Sequence, residues 1–455
     1  MNNKNEILRG LPKIDEVLQE QCLEFYLNEL PRGLILDVVR ESINKTRKQI
    51  LNSEKEYSYS KLLDEILIEL EAKKEKSIKK VINCTGTVIH TNLGRSILSE
   101  EAAMAAYISA INYTNLEYDV SKGKRGLRHD HIEKILREVT GAEAAMVVNN
   151  NAAATMLTLS ALGFGKEIIV SRGELVEIGG SFRIPDIMSQ SGAVLREVGT
   201  TNKTKLEDYK NAVNENTAAL LKVHTSNYQI VGFTEETDLD SLVSLGKAYS
   251  LPVIYDMGSG LIYDLDEYGI FEPSLLKSLK TGIDLALFSG DKLLGGPQCG
   301  IITGKAKYID KLKKHPLARV LRVDKMTLSA LEASLLPYSD RDYALNHVPT
   351  LKMITADKKL LREKAEKLKA LIVNCKGEII EVQDQIGGGA APNTYLKGYG
   401  VSIASDKHTI EQLERMMRKN NPPIISRINK DRLIISVRAL SQEDIEEIAD
   451  FFGKI

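Results

Sequence analysis

Little in this 455-residue sequence is one-sided. Lys and Arg total 61 against 62 Asp and Glu, a net charge of −1, so no whole-molecule field advertises nucleic acid or a membrane surface. Any polyanion must be met by a local patch. The four cysteines, Cys22, Cys84, Cys299 and Cys375, are too far apart for a CxxC pair or any metal-ligand spacing, which points to reduced thiols in a cytoplasm and to no metal site. No apolar run approaches the ~18 residues of a membrane span. Residues 1–10, MNNKNEILRG, lack the apolar core of a signal peptide. The expectation is a cytoplasmic protein, neither exported nor membrane-bound, without internal repeats or low-complexity segments.

What is present is ordinary in amount and informative in order. A hydrophobic content of 43% with 27% charged residues suits a soluble globular chain, and the length suits two or three domains. Three are expected: a helical domain over 1–80, a large α/β domain over 81–345 and a smaller α/β domain over 346–455. In the first, residues 34–50 and 61–71 carry apolar side chains at helical spacing, with Ser58 and Ser60 as candidate caps of the second helix. Lys73, Lys74, Lys76, Lys79 and Lys80 crowd its end. A solvated helix face and a nucleic-acid contact both explain that crowding.

From residue 82 the pattern becomes turn-rich, then alternates. A helix is expected over 102–111, a basic, glycine-interrupted loop over 121–128, and strands over 144–148, 167–170, 193–198, 218–224, 252–256 and 285–288, with a helix over 239–249. Strands alternating with helices imply a doubly wound, mostly parallel sheet, whose ligands bind outside the carboxyl ends of the strands.

Several residues fall at those ends. Lys292 follows the strand 285–288 through Ser289-Gly290-Asp291 and precedes Gly295-Gly296, so an amine is presented to the crevice. Such an amine can form a Schiff base with pyridoxal phosphate. Asp256 closes another apolar strand, where a carboxylate would keep the cofactor's ring nitrogen protonated; capping of the following turn is the ordinary alternative. His224, in His224-Thr225-Ser226-Asn227, lines the same crevice. Asn149-Asn150-Asn151 leads from a strand into the helix beginning near Ala152, whose free amides and dipole suit a phosphate dianion. Capping accounts for one asparagine of the three, and which of them meets a phosphate stays open.

Residues 305–325 are strongly basic. Arg319 and Arg322 are three apart, hence on one face if the stretch is helical, and two guanidiniums there suit an oxyanion. A helix over 358–373, a glycine loop at 387–389, strands over 399–403 and 433–437 and a helix over 443–452 complete the chain. Arg427 and Arg438 are candidates for clamping a free carboxylate, or structural.

In order along the chain stand INCTGTVIHTNLGRS, NNNAAAT, RGELVEIGGSFRIPDIM, VHTSNYQIVGFT, YDMGSG, SGDKLLGGPQCG and HPLARVLRVDKM. This set resembles the bacterial selenocysteine synthases over nearly the whole chain, and residues 1–80 resemble that family's tRNA-binding domain. The resemblance implies a fold-type-I pyridoxal phosphate enzyme that converts L-seryl-tRNA(Sec) to L-selenocysteinyl-tRNA(Sec) with selenophosphate, through an aminoacrylyl-tRNA intermediate. It further implies assembly as a decamer, a pentamer of dimers. Lys292 then matches the Schiff-base lysine and Asp256 the pyridinium partner. Arg95, Arg319 and Arg322 match the arginines around the selenium donor, and Asn150, Asn151, Ala152 and Ser289 the cofactor-phosphate region. Two other readings remain: a pyridoxal phosphate lyase acting on a small, phosphorylated amino substrate, and a tRNA-binding relative without chemistry.

Overall fold

The computed structural model describes residues 7–52, 58–178, 182–429 and 431–455. Residues 1–6 of the N-terminal segment and residues 179–181 of the motif RGELVEIGGSFRIPDIM lie outside them. The chain divides into two compact units, Met1–Lys80 and Val81–Ile455.

The first unit is helical, with helices Ile14–Val17, Glu24–Glu29, Arg32–Asn52 and Tyr59–Lys74. Ile35, Val38, Val39 and Ile43 on one long helix, and Leu62, Ile66 and Leu70 on the other, fall three or four residues apart and form its core. The proposed caps need correction. Ser58 occupies the N-cap position but its side chain bonds no helix amide, and Ser60 lies inside the helix; the two hydroxyls bond each other at 2.8 Å. Lys74 is 4.0 Å from Glu29 and lies over the Phe25 ring, while Lys73 and Lys76 are exposed.

The second unit is built on a seven-stranded sheet. Its strands in chain order are β1 (Ala144–Val148), β2 (Glu167–Ser171), β3 (Val194–Val198), β4 (Thr217–Val223), β5 (Val253–Gly258), β6 (Leu285–Ser289) and β7 (Gly300–Gly304). They lie in the order β1-β7-β6-β5-β4-β2-β3. Pairings among β6, β5, β4, β2 and β3 are parallel, and β7 runs antiparallel to both its neighbours. β1, β5, β6 and β7 are buried throughout, which is why β1, β5 and β6 read as apolar runs rather than as alternation. Helices Asn151–Gly163 and Leu239–Tyr249 connect strands.

β7 was not foreseen. Its register sets Gly300 opposite both Val148 and Ser289, so its first residue lies between the carboxyl ends of β1 and β6. The turn after each of those ends therefore opens on the same region. A Cβ on Gly300 would stand 2.1 Å from the Asn150 carbonyl oxygen, so only glycine permits that approach.

A smaller sheet follows, of β8 (Lys376–Gly387), β9 (Ala390–Ala404), β10 (Arg427–Asn429) and β11 (Arg432–Ser436), in the order β8-β9-β11-β10. It packs with helices Lys358–Leu371, Ile410–Lys419 and Gln442–Gly453. Ile82–Asn83 pairs in parallel with Ile424–Ile425, so the start of the unit is stitched to its end. Within the expected loop at 121–128, Lys124–Arg125 pairs antiparallel with Tyr118–Asp119 just before it. Among the described residues no helix is long and apolar enough to cross a membrane.

Candidate active site

Lys292 lies three residues past the end of β6, with 4% of its surface exposed. The loop that carries it closes on itself: the Gly290 amide donates to the Cys299 carbonyl at 2.9 Å, Gly296 donates to Gly290 at 2.8 Å, and Leu293 donates to Ser259 at 2.9 Å. The amine is thus placed by backbone bonds from three directions rather than by a flexible loop. Burial lowers its pKa from the ordinary lysine value, and the Arg95 guanidinium lowers it further; Asp256, Asp291 and Glu272 oppose both.

Arg95 is brought to the same loop. Its Nη1 is 2.7 Å from Asp291 Oδ2, and the Ser96 hydroxyl donates to the Gly296 carbonyl at 3.1 Å. Asp291 adjoins Lys292 in sequence, yet the Arg95–Asp291 pair spans 196 positions, so no sequence spacing announced it.

Asp256 lies within β5, 3% exposed. The Asn151 carboxamide donates to its Oδ1 at 2.7 Å and the Thr155 hydroxyl to its Oδ2 at 2.9 Å. Burial pushes the carboxyl up, while these two bonds and the Lys292 ammonium pull it down. Asn151 and Thr155 are four apart on one helix and so face the same way; that spacing was available in the sequence, and Thr155 was missed.

The asparagine triplet divides three tasks. The Asn150 carboxamide accepts from the Ala153 amide at 2.9 Å and caps the helix Asn151–Gly163. Asn151 holds Asp256. Asn149 donates through its amide to the Leu321 carbonyl at 2.9 Å and through its side chain to the Arg322 carbonyl at 3.2 Å. The amides of Asn151 and Ala152, in the first turn, take no hydrogen bond among the described residues, leaving two donors at the positive end of the helix. Ser289 is buried at the end of β6, and His224 follows β4 with its amide bonded to the Asp256 carbonyl at 2.9 Å.

Arg319 and Arg322 are not joined to this cluster. The expected shared helical face is absent, because Arg319 lies on the short helix Leu317–Val320 and Arg322 past its end. Arg319 is exposed. Arg322 is 3.5 Å from Glu117, which also meets Arg128 at 2.9 Å and Arg125 at 3.4 Å. No hydrogen bond or ion pair among the described residues links either arginine to Lys292 or Asp256; the connection is the backbone one through Asn149. Arg438 is 3% exposed and bonds Asp384 Oδ2 at 2.9 Å as well as two carbonyls, of Met353 and Lys397. Arg427 approaches Asp384 Oδ1 at 3.6 Å. Both arginines serve that buried carboxylate.

The residues suit pyridoxal phosphate. Several buried polar atoms near Lys292 and Asp256 have no hydrogen-bond partner among the described residues, namely Asn151 Oδ1, Ser226 Oγ and Ser259 Oγ, as expected where a polar ligand completes the bonding. A Cβ at Gly258, whose φ is +68°, would lie 3.4 Å from Ser226 Oγ and 3.9 Å from Lys292 Nζ, so glycine keeps that space clear.

Fold and site together define a fold-type-I α/β enzyme of the pyridoxal phosphate class. D-glucosaminate-6-phosphate ammonia-lyase has a similar fold, with a TM-score of 0.57 at 20% identity over 83% of this chain and 95% of that one. The chain belongs to the L-seryl-tRNA selenium transferase family, whose pattern matches residues 81–441, and the pattern of the selenocysteine synthase N terminus matches residues 8–47. An L-seryl-tRNA(Sec) selenium transferase of Clostridium botulinum (strain 657 / Type Ba4) is 50% identical over all of this chain and 99% of its own length. One from Alkaliphilus oremlandii is 46% identical with the same coverage.

Proposed function

We propose that this chain converts L-seryl-tRNA(Sec) to L-selenocysteinyl-tRNA(Sec), taking selenium from selenophosphate. The observation that carries the reading is identity of about half over the full length of transferases so named, with an amine and a carboxylate both buried at adjacent strand ends.

Bound pyridoxal phosphate supplies an electron-withdrawing ring that stabilises negative charge at the substrate's Cα and so eases loss of its β-hydroxyl. Lys292 carries the cofactor and moves the proton at Cα; burial favours its neutral form, the form able to accept that proton. Asp256, kept in place by Asn151 and Thr155, holds a proton on the ring nitrogen. The free amides of Asn151 and Ala152, with Ser289, take the cofactor's phosphate. Arg95, Arg319 and Arg322 receive the anionic selenium donor through charge-assisted bonds.

The first unit, residues 1–80, takes the tRNA, with Lys73 and Lys76 exposed for its phosphates. A serine esterified to tRNA has no free carboxylate, in keeping with the use of Arg427 and Arg438 on Asp384. We assign the chain to the cytoplasm, where charged tRNA is used, and to a pentamer of dimers. Met104, Tyr107, Ile108 and Ile111, three or four apart and each more than half exposed on helix Glu100–Ile111, support self-association.

The test is to supply the purified protein with pyridoxal phosphate, seryl-tRNA(Sec) and selenophosphate. Selenocysteinyl-tRNA(Sec) should form, and a chain lacking residues 1–80 should bind seryl-tRNA(Sec) far more weakly. Equal binding by both chains would count against the reading.

A further inference from the structure

We infer that Glu272 is a positioning residue of the active site, holding the His224 imidazole in one orientation and one tautomer and tying that ring to the tip of the β8–β9 hairpin. The inference rests on the proposed function, in which the cofactor lies at Lys292 and Asp256, the residue whose carbonyl bonds the His224 amide.

The main chain of His224 is fixed beside Asp256 by the 2.9 Å bond between them. Its ring leans the other way, on Glu272, with Nε2 and Oε1 3.2 Å apart. Both atoms are buried and neither makes a hydrogen bond among the described residues, so each faces the other as its nearest unsatisfied partner. The Glu272 side chain is 1% exposed and that of His224 20% exposed, so the ring keeps an open edge while its Nε2 is enclosed.

Glu272 Oε2 accepts the amide of Ala391 at 2.9 Å. Ala391 has a φ of 46°, a region that residues other than glycine seldom enter and that must be held by their surroundings. A carboxylate withdrawn from water with one backbone donor is poorly satisfied. The second donor within reach is the His224 Nε2–H. Donating that proton to Glu272 leaves Nδ1 of a neutral ring with its lone pair, so Nδ1 is the atom that can accept a hydrogen bond or a proton from a molecule in the site.

Histidines that must present one nitrogen are commonly oriented through the other by a carboxylate. His224 and Glu272 lie in the wall of a cavity of about 580 Å³ that Lys222, Tyr228 and Ala391 also line and that Lys292 and Asp256 do not; the link to the amine is electrostatic, since the charge of Glu272 is felt at Lys292.

The experiment is a double-mutant cycle on the holoenzyme, read by kcat and KM for seryl-tRNA(Sec) and by the absorbance of the bound cofactor. Glu272→Ala should lower kcat about 10- to 100-fold, the range found when a supporting carboxylate is removed. KM should stay within about twofold, and the absorbance maximum should shift. In a His224→Gln background the same change should alter kcat by less than about twofold, because the two side chains act as one unit. Glu272→Gln keeps an acceptor for Ala391 and guards against misfolding; it should reproduce the loss in kcat.

Equal losses from Glu272→Ala in both backgrounds, or a change confined to KM, would overturn the inference. A wild-type protein that binds no pyridoxal phosphate would overturn the reading of the site beneath it, so the two failures are distinguishable.

Discussion

The Asn151 carboxamide donates to Asp256 Oδ1 at 2.7 Å, joining the start of the helix after β1 to the end of β5. In the proposed function one residue would thereby serve two ends of the cofactor site, its free amide for the phosphate and its side chain for the carboxylate assigned to the ring nitrogen. Removing the side chain leaves a buried carboxylate with one fewer bond to its charged form, so its pKa, already raised by burial, rises further. Asn151→Ala should weaken cofactor binding and lower kcat by about tenfold or more, since a hydrogen bond to a charged group contributes ~1.5–3 kcal/mol. Absorbance titration with pyridoxal phosphate and a turnover assay check both. Unchanged affinity and turnover would show that Asp256 needs no such support.

Lys292 makes stability depend on pH in the cofactor-free protein. Its folded pKa is lowered from 10.5, so between the folded value and 10.5 the unfolded chain holds a proton that the native lysine lacks. Stability therefore rises with pH across that window, by up to about 1.4 kcal/mol per pH unit, and the lysine is most costly below it. Lys292→Met should remove this slope. Urea unfolding of the two apo-proteins should show the variant's advantage largest at low pH and shrinking as pH nears 10.5; a constant difference would contradict the shift.

Arg438 and Asp384 form a buried ion pair that also carries the carbonyls of Met353 and Lys397. Breaking such a pair from one side strands the other charge. Arg438→Met should destabilise the fold by roughly 3–5 kcal/mol, read by chemical denaturation. A loss of substrate affinity without loss of stability would instead make Arg438 a substrate clamp.

Arg319 is exposed, and no hydrogen bond or ion pair holds its side chain among the described residues, while Arg322 has a half-open pair with Glu117. Neither supports the cofactor's own residues. Arg319→Ala and Arg322→Ala should each retain the absorbance of bound cofactor while selenocysteinyl-tRNA(Sec) formation falls at least tenfold, the scale of one charge-assisted bond. Loss of bound cofactor in either variant would contradict their assignment to the selenium donor.

The parts of this architecture carried by local pattern were readable in the sequence. Buried strands β1, β5 and β6 appear as apolar runs ending in Asn149, Asp256 and the turn to Lys292, because strands covered on both faces carry no polar alternation. β7 escaped because Gly300-Ile301-Ile302-Thr303-Gly304 is short and bounded by glycines, so it reads as part of the loop around it; only its two neighbours make it a strand. β8 escaped because Glu378, Glu381 and Asp384 interrupt its apolar residues, and Asp384 points a charge inward that Arg438 neutralises from far along the chain. Thr155 was within reach, one helical turn beyond Asn151. Arg95 against Asp291 and Glu272 against His224 were not, since each pair is made by loops meeting in space. The arginine pair misled in the opposite sense: spacing by three implies a shared face only where the helix continues, and here it ends at Val320, between the two.

In the proposed function Lys292 is the residue that bonds pyridoxal phosphate. Borohydride reduction of the cofactor-loaded protein, followed by peptide mapping, tests it most directly. The pyridoxyl group should be found on Lys292, and Lys292→Ala should take up no label and show no visible absorbance band. Label on another lysine, or a band undiminished in Lys292→Ala, would contradict the account.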